Sequence, residues 1–115
     1  MGRYRHEMLV CQVEETDSEA FLELCARVES LRAKIPEPFR QLIVGPVKGV
    51  ANGYAWFAFF PDGSKEGWGL SAEGDQYRDW FEHACAGNTG VSTRWGDERP
   101  CVDVRETFYK EALVR

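Results

Sequence analysis

Two hydrophobic rhythms alternate along this chain, and their order predicts its elements. Met8-Leu9-Val10-Cys11-Gln12-Val13 is an apolar run of strand length. From Phe21 the period changes. Phe21, Leu24, Cys25, Val28, Leu31 and Ile35 recur at three and four residues, which gives a helix one buried stripe. Thr16 and Glu19 stand at capping-box spacing ahead of it. Pro36 and Pro38 end it near Lys34, because proline has no amide to continue the hydrogen-bond ladder. Phe39 to Val44 reads as a second strand, and the breaker-rich segment from Gly45 to Gly53 as a loop or bent hairpin. Asn52 to Trp68 then carries the densest aromatic run: Tyr54, Trp56, Phe57, Phe59 and Phe60, with Trp68 at its end. Aromatic side chains suit a pleated, half-buried surface, and Pro61-Asp62-Gly63-Ser64 is turn chemistry. This stretch therefore predicts a central hairpin whose return strand is Lys65 to Leu70.

The helical period returns after the hairpin. Ser71 is placed to cap a second helix, with Glu73 and Asp75 in the first turn, where carboxylates complement the helix dipole. Tyr77, Trp80, Phe81, Ala84 and Cys85 form its apolar stripe, and Gly87-Asn88 supplies the stop. Val91 to Trp95 and Pro100 to Glu106 read as closing strands across the turn Gly96-Asp97-Glu98-Arg99. Residues from Thr107 onward are too few to assign.

Two amphipathic helices each need an apolar surface, and one antiparallel sheet provides it on a single face. The expectation is one α+β domain over residues 1–115 with two layers. The nearest common plan is the ferredoxin-like β-α-β-β-α-β order, extended by an extra hairpin strand.

Composition narrows the function classes. At 115 residues, with 43% hydrophobic and 29% charged, the chain supports a single core and is not disordered. No apolar run approaches the roughly 20 residues that cross a bilayer, and the start lacks a signal-peptide pattern, so a cytoplasmic protein is expected. The net charge of −5 provides no basic footprint for displacing counterions from nucleic acid. Cys11, Cys25, Cys85 and Cys101 include no closely spaced pair, so they read as small buried hydrophobes, with no metal site and no cofactor motif.

Chemistry is sparse. His83 with Cys101, or the acids Asp97, Glu98 and Asp103, are the only catalytic candidates, and nothing in their spacing positions them. No catalytic residue is assigned. Gly45-Pro46-Val47-Lys48-Gly49-Val50 resembles the phosphate loop of acylphosphatases, but Asn52 and Gly53 stand where that family continues with an aromatic and its catalytic Arg. Asn52-Gly53-Tyr54-Ala55-Trp56-Phe57-Ala58-Phe59 resembles the RNP1 motif of RNA-recognition domains, with Asn52 in place of the cation. That resemblance implies Tyr54 and Trp56 on an open sheet face, stacking single-stranded RNA, and Phe57 and Phe59 in the core.

Pro61-Asp62-Gly63-Ser64-Lys65-Glu66-Gly67-Trp68, with Gly74-Asp75 and Trp80-Phe81, resembles small uncharacterised proteins of bacteria and their phages. It implies an accessory protein that binds another protein, in the manner of an inhibitor of a nucleic-acid-handling partner. The residues themselves agree, since aromatic anchors beside carboxylates suit a basic protein partner. The expected partner-binding set is Tyr54, Trp56, Asp62, Glu66, Trp68, Glu73, Asp75 and Asp79, with RNA binding through Tyr54 and Trp56 as the alternative.

Overall fold

The computed structural model describes residues 4–65, 67–96 and 99–105, the last segment by its backbone alone. The elements are β1 (Arg5–Val13), α1 (Glu19–Lys34), a 3-10 turn (Phe39–Leu42), β2 (Ile43–Lys48), β3 (Ala55–Phe59), α2 (Gly69–Ala84), β4 (Thr89–Gly96) and β5 (Arg99–Arg105). The strands form one sheet in the order β2-β3-β1-β4-β5, and every neighbouring pair is antiparallel. The first four strands have the ferredoxin-like order, and β5 is the added hairpin strand beside β4. The fold is thus α+β in two layers, as the sequence predicts.

The period-two alternation of β1 assigns its faces. Leu9, Cys11 and Val13 are buried under the helices, while Met8, Val10 and Gln12 point to the opposite face and are half-buried. Register carries this across the sheet: Ile43, Phe59, Leu9 and Ser92 form one inward row, and Phe57 lies opposite Cys11 in the next. Phe21, Leu24, Val28, Leu31 and Ile35 of the α1 stripe close over that surface, and so do Tyr77, Phe81 and Cys85 of the α2 stripe. The Phe81 ring meets Phe59 edge-on, with centroids 5.8 Å apart.

Four local expectations need correction. Ser18, not Thr16, caps α1, accepting from the Phe21 amide at 3.1 Å. The chain first turns through left-handed Glu15 and Asp17, and the Thr16 amide is held by Gly53 O at 3.0 Å. Phe39–Leu42 is a 3-10 turn rather than strand. Arg40 Nε ties it to the C-terminal end of α1, donating to Arg32 O and Ile35 O at 3.0 Å each. β2 consequently starts at Ile43 and continues through an irregularity between Val44 and Val47 into ground expected to be loop.

The third correction concerns the central hairpin. Both edges of β3 are already paired, with β2 and with β1, so Lys65 to Leu70 has no strand to return along. Among its described residues only Lys65 bridges, and its partner is Tyr4. Finally, α2 starts at Gly69, with Trp68 in the cap position and no side-chain cap bond. Glu73 and Asp75 therefore fall beyond the first turn, which holds no carboxylate.

Candidate functional site

The sheet face opposite the helices presents an apolar platform. Val44, Ala58, Val10 and Val91 line up across four strands, and Val47, Trp56, Gln12 and Thr89 form the adjacent row. None of these eight is buried, and Val44 and Val47 are 38% and 51% exposed. Tyr54 and Trp56 stand at one end of the platform, their rings stacked at 6.3 Å with 25° between planes. The Tyr54 hydroxyl donates to Glu14 Oε1 at 3.5 Å, so an exposed carboxylate borders the aromatic pair. Glu14 also lines a shallow hollow of about 570 Å³ together with Glu15 and Glu19.

At the other end His6 bridges two rings, stacking on Tyr4 at 6.0 Å and meeting Trp95 at 5.7 Å. Lys65 Nζ lies 5.1 Å from the Tyr4 centroid and 5.6 Å from that of Trp68. The two aromatic ends are separated by the strand from His6 to Gln12, roughly 20 Å.

Beneath α2 the chain buries a network of charges. Glu7 and Arg78 are 6% and 5% exposed. Arg78 Nη1 donates to Asp62 Oδ2 at 3.0 Å and Nη2 to Asp75 Oδ1 at 2.8 Å, while its Nε faces Glu7 Oε1 at 3.7 Å. Ser92 Oγ donates to Glu7 Oε2 at 2.8 Å, and Arg94 lies on the same oxygen at 3.3 Å. Arg5 Nη2 spans both Asp75 oxygens at 2.9 and 3.0 Å. Burial pushes the Glu7 carboxyl up, but the Ser92 hydrogen bond and the charges of Arg94 and Arg78 outweigh it and hold the group below its ordinary value. Asp62 behaves alike: burial raises it, and the side-chain and backbone bonds from Ser64 together with Arg78 leave it lowered. Every carboxylate here has a cationic partner, so the network serves to fix α2, β1 and the 61–64 turn.

The expected partner-binding residues thus fall into two regions. Tyr54 and Trp56 lie on the open face. Asp62 is internal, its side chain 5% exposed, so it is not a rim residue reachable by a partner. Asp75 is held between Arg5 and Arg78, Glu73 accepts from the Tyr77 hydroxyl at 2.7 Å, and Asp79 pairs with His83 at 3.6 Å. Trp68 is 51% exposed at the start of α2, and Glu66 lies outside the described residues. So do Asp97 and Glu98 and the side chains of Cys101 and Asp103. Among the described residues no group of three or more His, Cys, Asp or Glu could hold a metal, and no helix is long and apolar enough to cross a membrane.

Sequence reasoning passed over Glu14, Glu7, Arg78, Arg94 and Ser92. A signal was present for two of them. Glu7 shares the inward parity of Leu9 and Cys11, and Arg78 sits three residues before Phe81 on the buried side of α2. A charge on the inward side of two elements announces a buried pair. In comparisons with protein-family models, curated proteins and solved structures, the chain matches none.

Proposed function

We propose that this protein is a binding domain without catalysis, and that its open sheet face receives a basic, apolar segment of another protein. The observation that carries the reading is the stacked Tyr54–Trp56 pair beside Glu14 on an apolar platform that no described element covers. Aromatic anchors on apolar ground supply the buried centre of an interface. Glu14, Glu15 and Glu19 around the adjoining hollow supply the complementary charge for a Lys or Arg of the partner. Mimicry of nucleic-acid charge is not part of the proposal, because Asp62 is buried on Arg78 and the exposed Asp75 is paired with Arg5 and Arg78.

A second reading has its own observation. Tyr54 and Trp56 occupy the RNP1-like positions of a ferredoxin-like sheet, at the face where RNA-recognition domains stack bases. Glu14 beside the pair and the net charge of −5 oppose a phosphate backbone, and this places the protein partner first. Selection from a displayed random-peptide library, followed by titration of the selected peptides, tests the choice. The proposal expects Lys or Arg next to bulky apolar residues, and binding lost on Tyr54→Ala with Trp56→Ala in a folded protein. Selected peptides indifferent to both substitutions would overturn it, as would single-stranded RNA binding that depends on them.

A further inference from the structure

We propose that the groove between α1 and α2 binds a small monocarboxylate with a flat apolar body, on the side of the molecule away from the open sheet face. Ala26, Arg27, Ser30, Leu31 and Lys34 recur at three and four residues, so they present one face of α1 to the groove. Trp80 and Ala84 do the same on α2. Arg27 Nη1 donates to Ala84 O at 3.1 Å, and Phe39, beyond the end of α1, meets Tyr77 at 5.0 Å. The two helices therefore run in opposite directions, and Lys34 lies on the Trp80 side of the Arg27–Ala84 bond.

The groove encloses about 600 Å³, within the range of roughly 300–1,000 Å³ that small-molecule sites occupy. It exists because small side chains face a large one: Ala26, Ser30 and Ala84 leave space beside the Trp80 indole, over the buried Leu31. Trp80 belongs to the apolar stripe of α2, yet it packs only partly against the core and also lines the groove. Its ring is set by Tyr77, 5.3 Å away at 56°, and Tyr77 is itself held by the Phe39 ring and the Glu73 carboxylate. The indole is thus a wall already in place for a planar apolar group, which lowers the ordering cost of binding. Charge selects what that group carries. Glu23, the carboxylate lining the groove, is tied to Arg27 Nη2 at 3.2 Å, and His83 Nδ1 lies 2.9 Å from Asp79 O. Lys34 makes no hydrogen bond or ion pair among the described residues. An anionic head at that end meets an uncompensated ammonium although the chain as a whole is acidic, and a single cation matches a single carboxylate.

The test is a titration of the full chain with 2-naphthoate and, separately, with uncharged 2-naphthamide, followed by amide and indole chemical shifts in ¹H–¹⁵N spectra. Saturating shifts centred on α1 and α2 and including the Trp80 indole are expected, with 2-naphthoate the tighter ligand. Lys34→Gln should weaken 2-naphthoate about threefold, the worth of one exposed ion pair, and leave 2-naphthamide unchanged. Ala26 is exposed, and leucine suits a helix, so Ala26→Leu fills the groove without disturbing the core. This second variant should keep its melting temperature and weaken both ligands by about tenfold or more. Absence of saturating shifts, shifts centred on Tyr54 and Trp56, equal affinity for the two probes, or 2-naphthoate binding indifferent to either variant would overturn the proposal. So would groove shifts that appear on raising protein concentration alone, which would assign the groove to a second copy of the chain.

Discussion

Gly74 has no space for a side chain, because an added Cβ would collide with Asp62 Oδ2 and press on the Arg78 guanidinium. Alanine in a helix interior ordinarily gains about 1 kcal/mol over glycine. Here Gly74→Ala should instead destabilise by about 1–3 kcal/mol, since the carboxylate must leave its ion pair. Urea denaturation measures the sign directly. The same network sets the acid behaviour. The folded-state pKa values of Glu7 and Asp62 are lowered, so their contribution is present above the unfolded values near 4 and is lost as pH falls through the folded ones. Glu7→Gln should destabilise at neutral pH by about 1–3 kcal/mol, because Arg78 keeps Asp62 and Asp75 but loses its third carboxylate, and the Arg94 contact to the same group is lost. Its stability should also fall less steeply than the wild type below about pH 4. Stability curves at several pH values check both statements. The sequence signalled that Glu7 and Arg78 face inward but not that they meet, because the pairing of Arg78 with Asp62, sixteen residues back, depends on the fold.

β3 alternates between a buried face and a half-exposed one within five residues. Phe57 is 1% exposed under the helices, whereas Trp56 points to the platform and touches Tyr54. Phe57→Ala should cost about 3–5 kcal/mol through the cavity it leaves. Trp56→Ala should cost only about 1 kcal/mol, the worth of an aromatic pair. Parallel denaturation of the two variants tests which face holds the fold together. This alternation could be read from Tyr54-Ala55-Trp56-Phe57-Ala58-Phe59 alone, as could the stripes of α1 and α2, because period and burial are local properties. The Lys65–Leu70 return strand was misread for a non-local reason. β1, distant in sequence, and β2, the strand just before it, occupy both edges of β3, and no turn signal at Pro61 to Ser64 reports that. The start of α2 was missed for a related reason: Ser71 is a good cap by type, yet Trp68 adopts the extended backbone that begins the helix.

At the scale of the molecule, one face of the sheet is sealed by two helices and a charge network, and the other presents apolar rows ending in aromatic groups. The fold class followed from the order of periods in the chain, whereas the strand order came only from the pairing in space. The separation of aromatic and acidic residues did not follow from it either, because Asp62 looks like a rim residue in sequence and is buried on Arg78, and the exposed Asp75 is held by Arg5 and Arg78. The account rests on the open face as a protein-binding surface. Its most direct test is tryptophan fluorescence of the intact chain and of the Tyr54→Ala/Trp56→Ala variant. Each is titrated at about 50 and 200 mM salt with library-selected basic peptide and with mixed-sequence single-stranded RNA. The account predicts saturable peptide binding that weakens at the higher salt, vanishes in the variant, and has no counterpart with RNA. RNA binding lost in the variant, or peptide binding that survives it, would contradict the account.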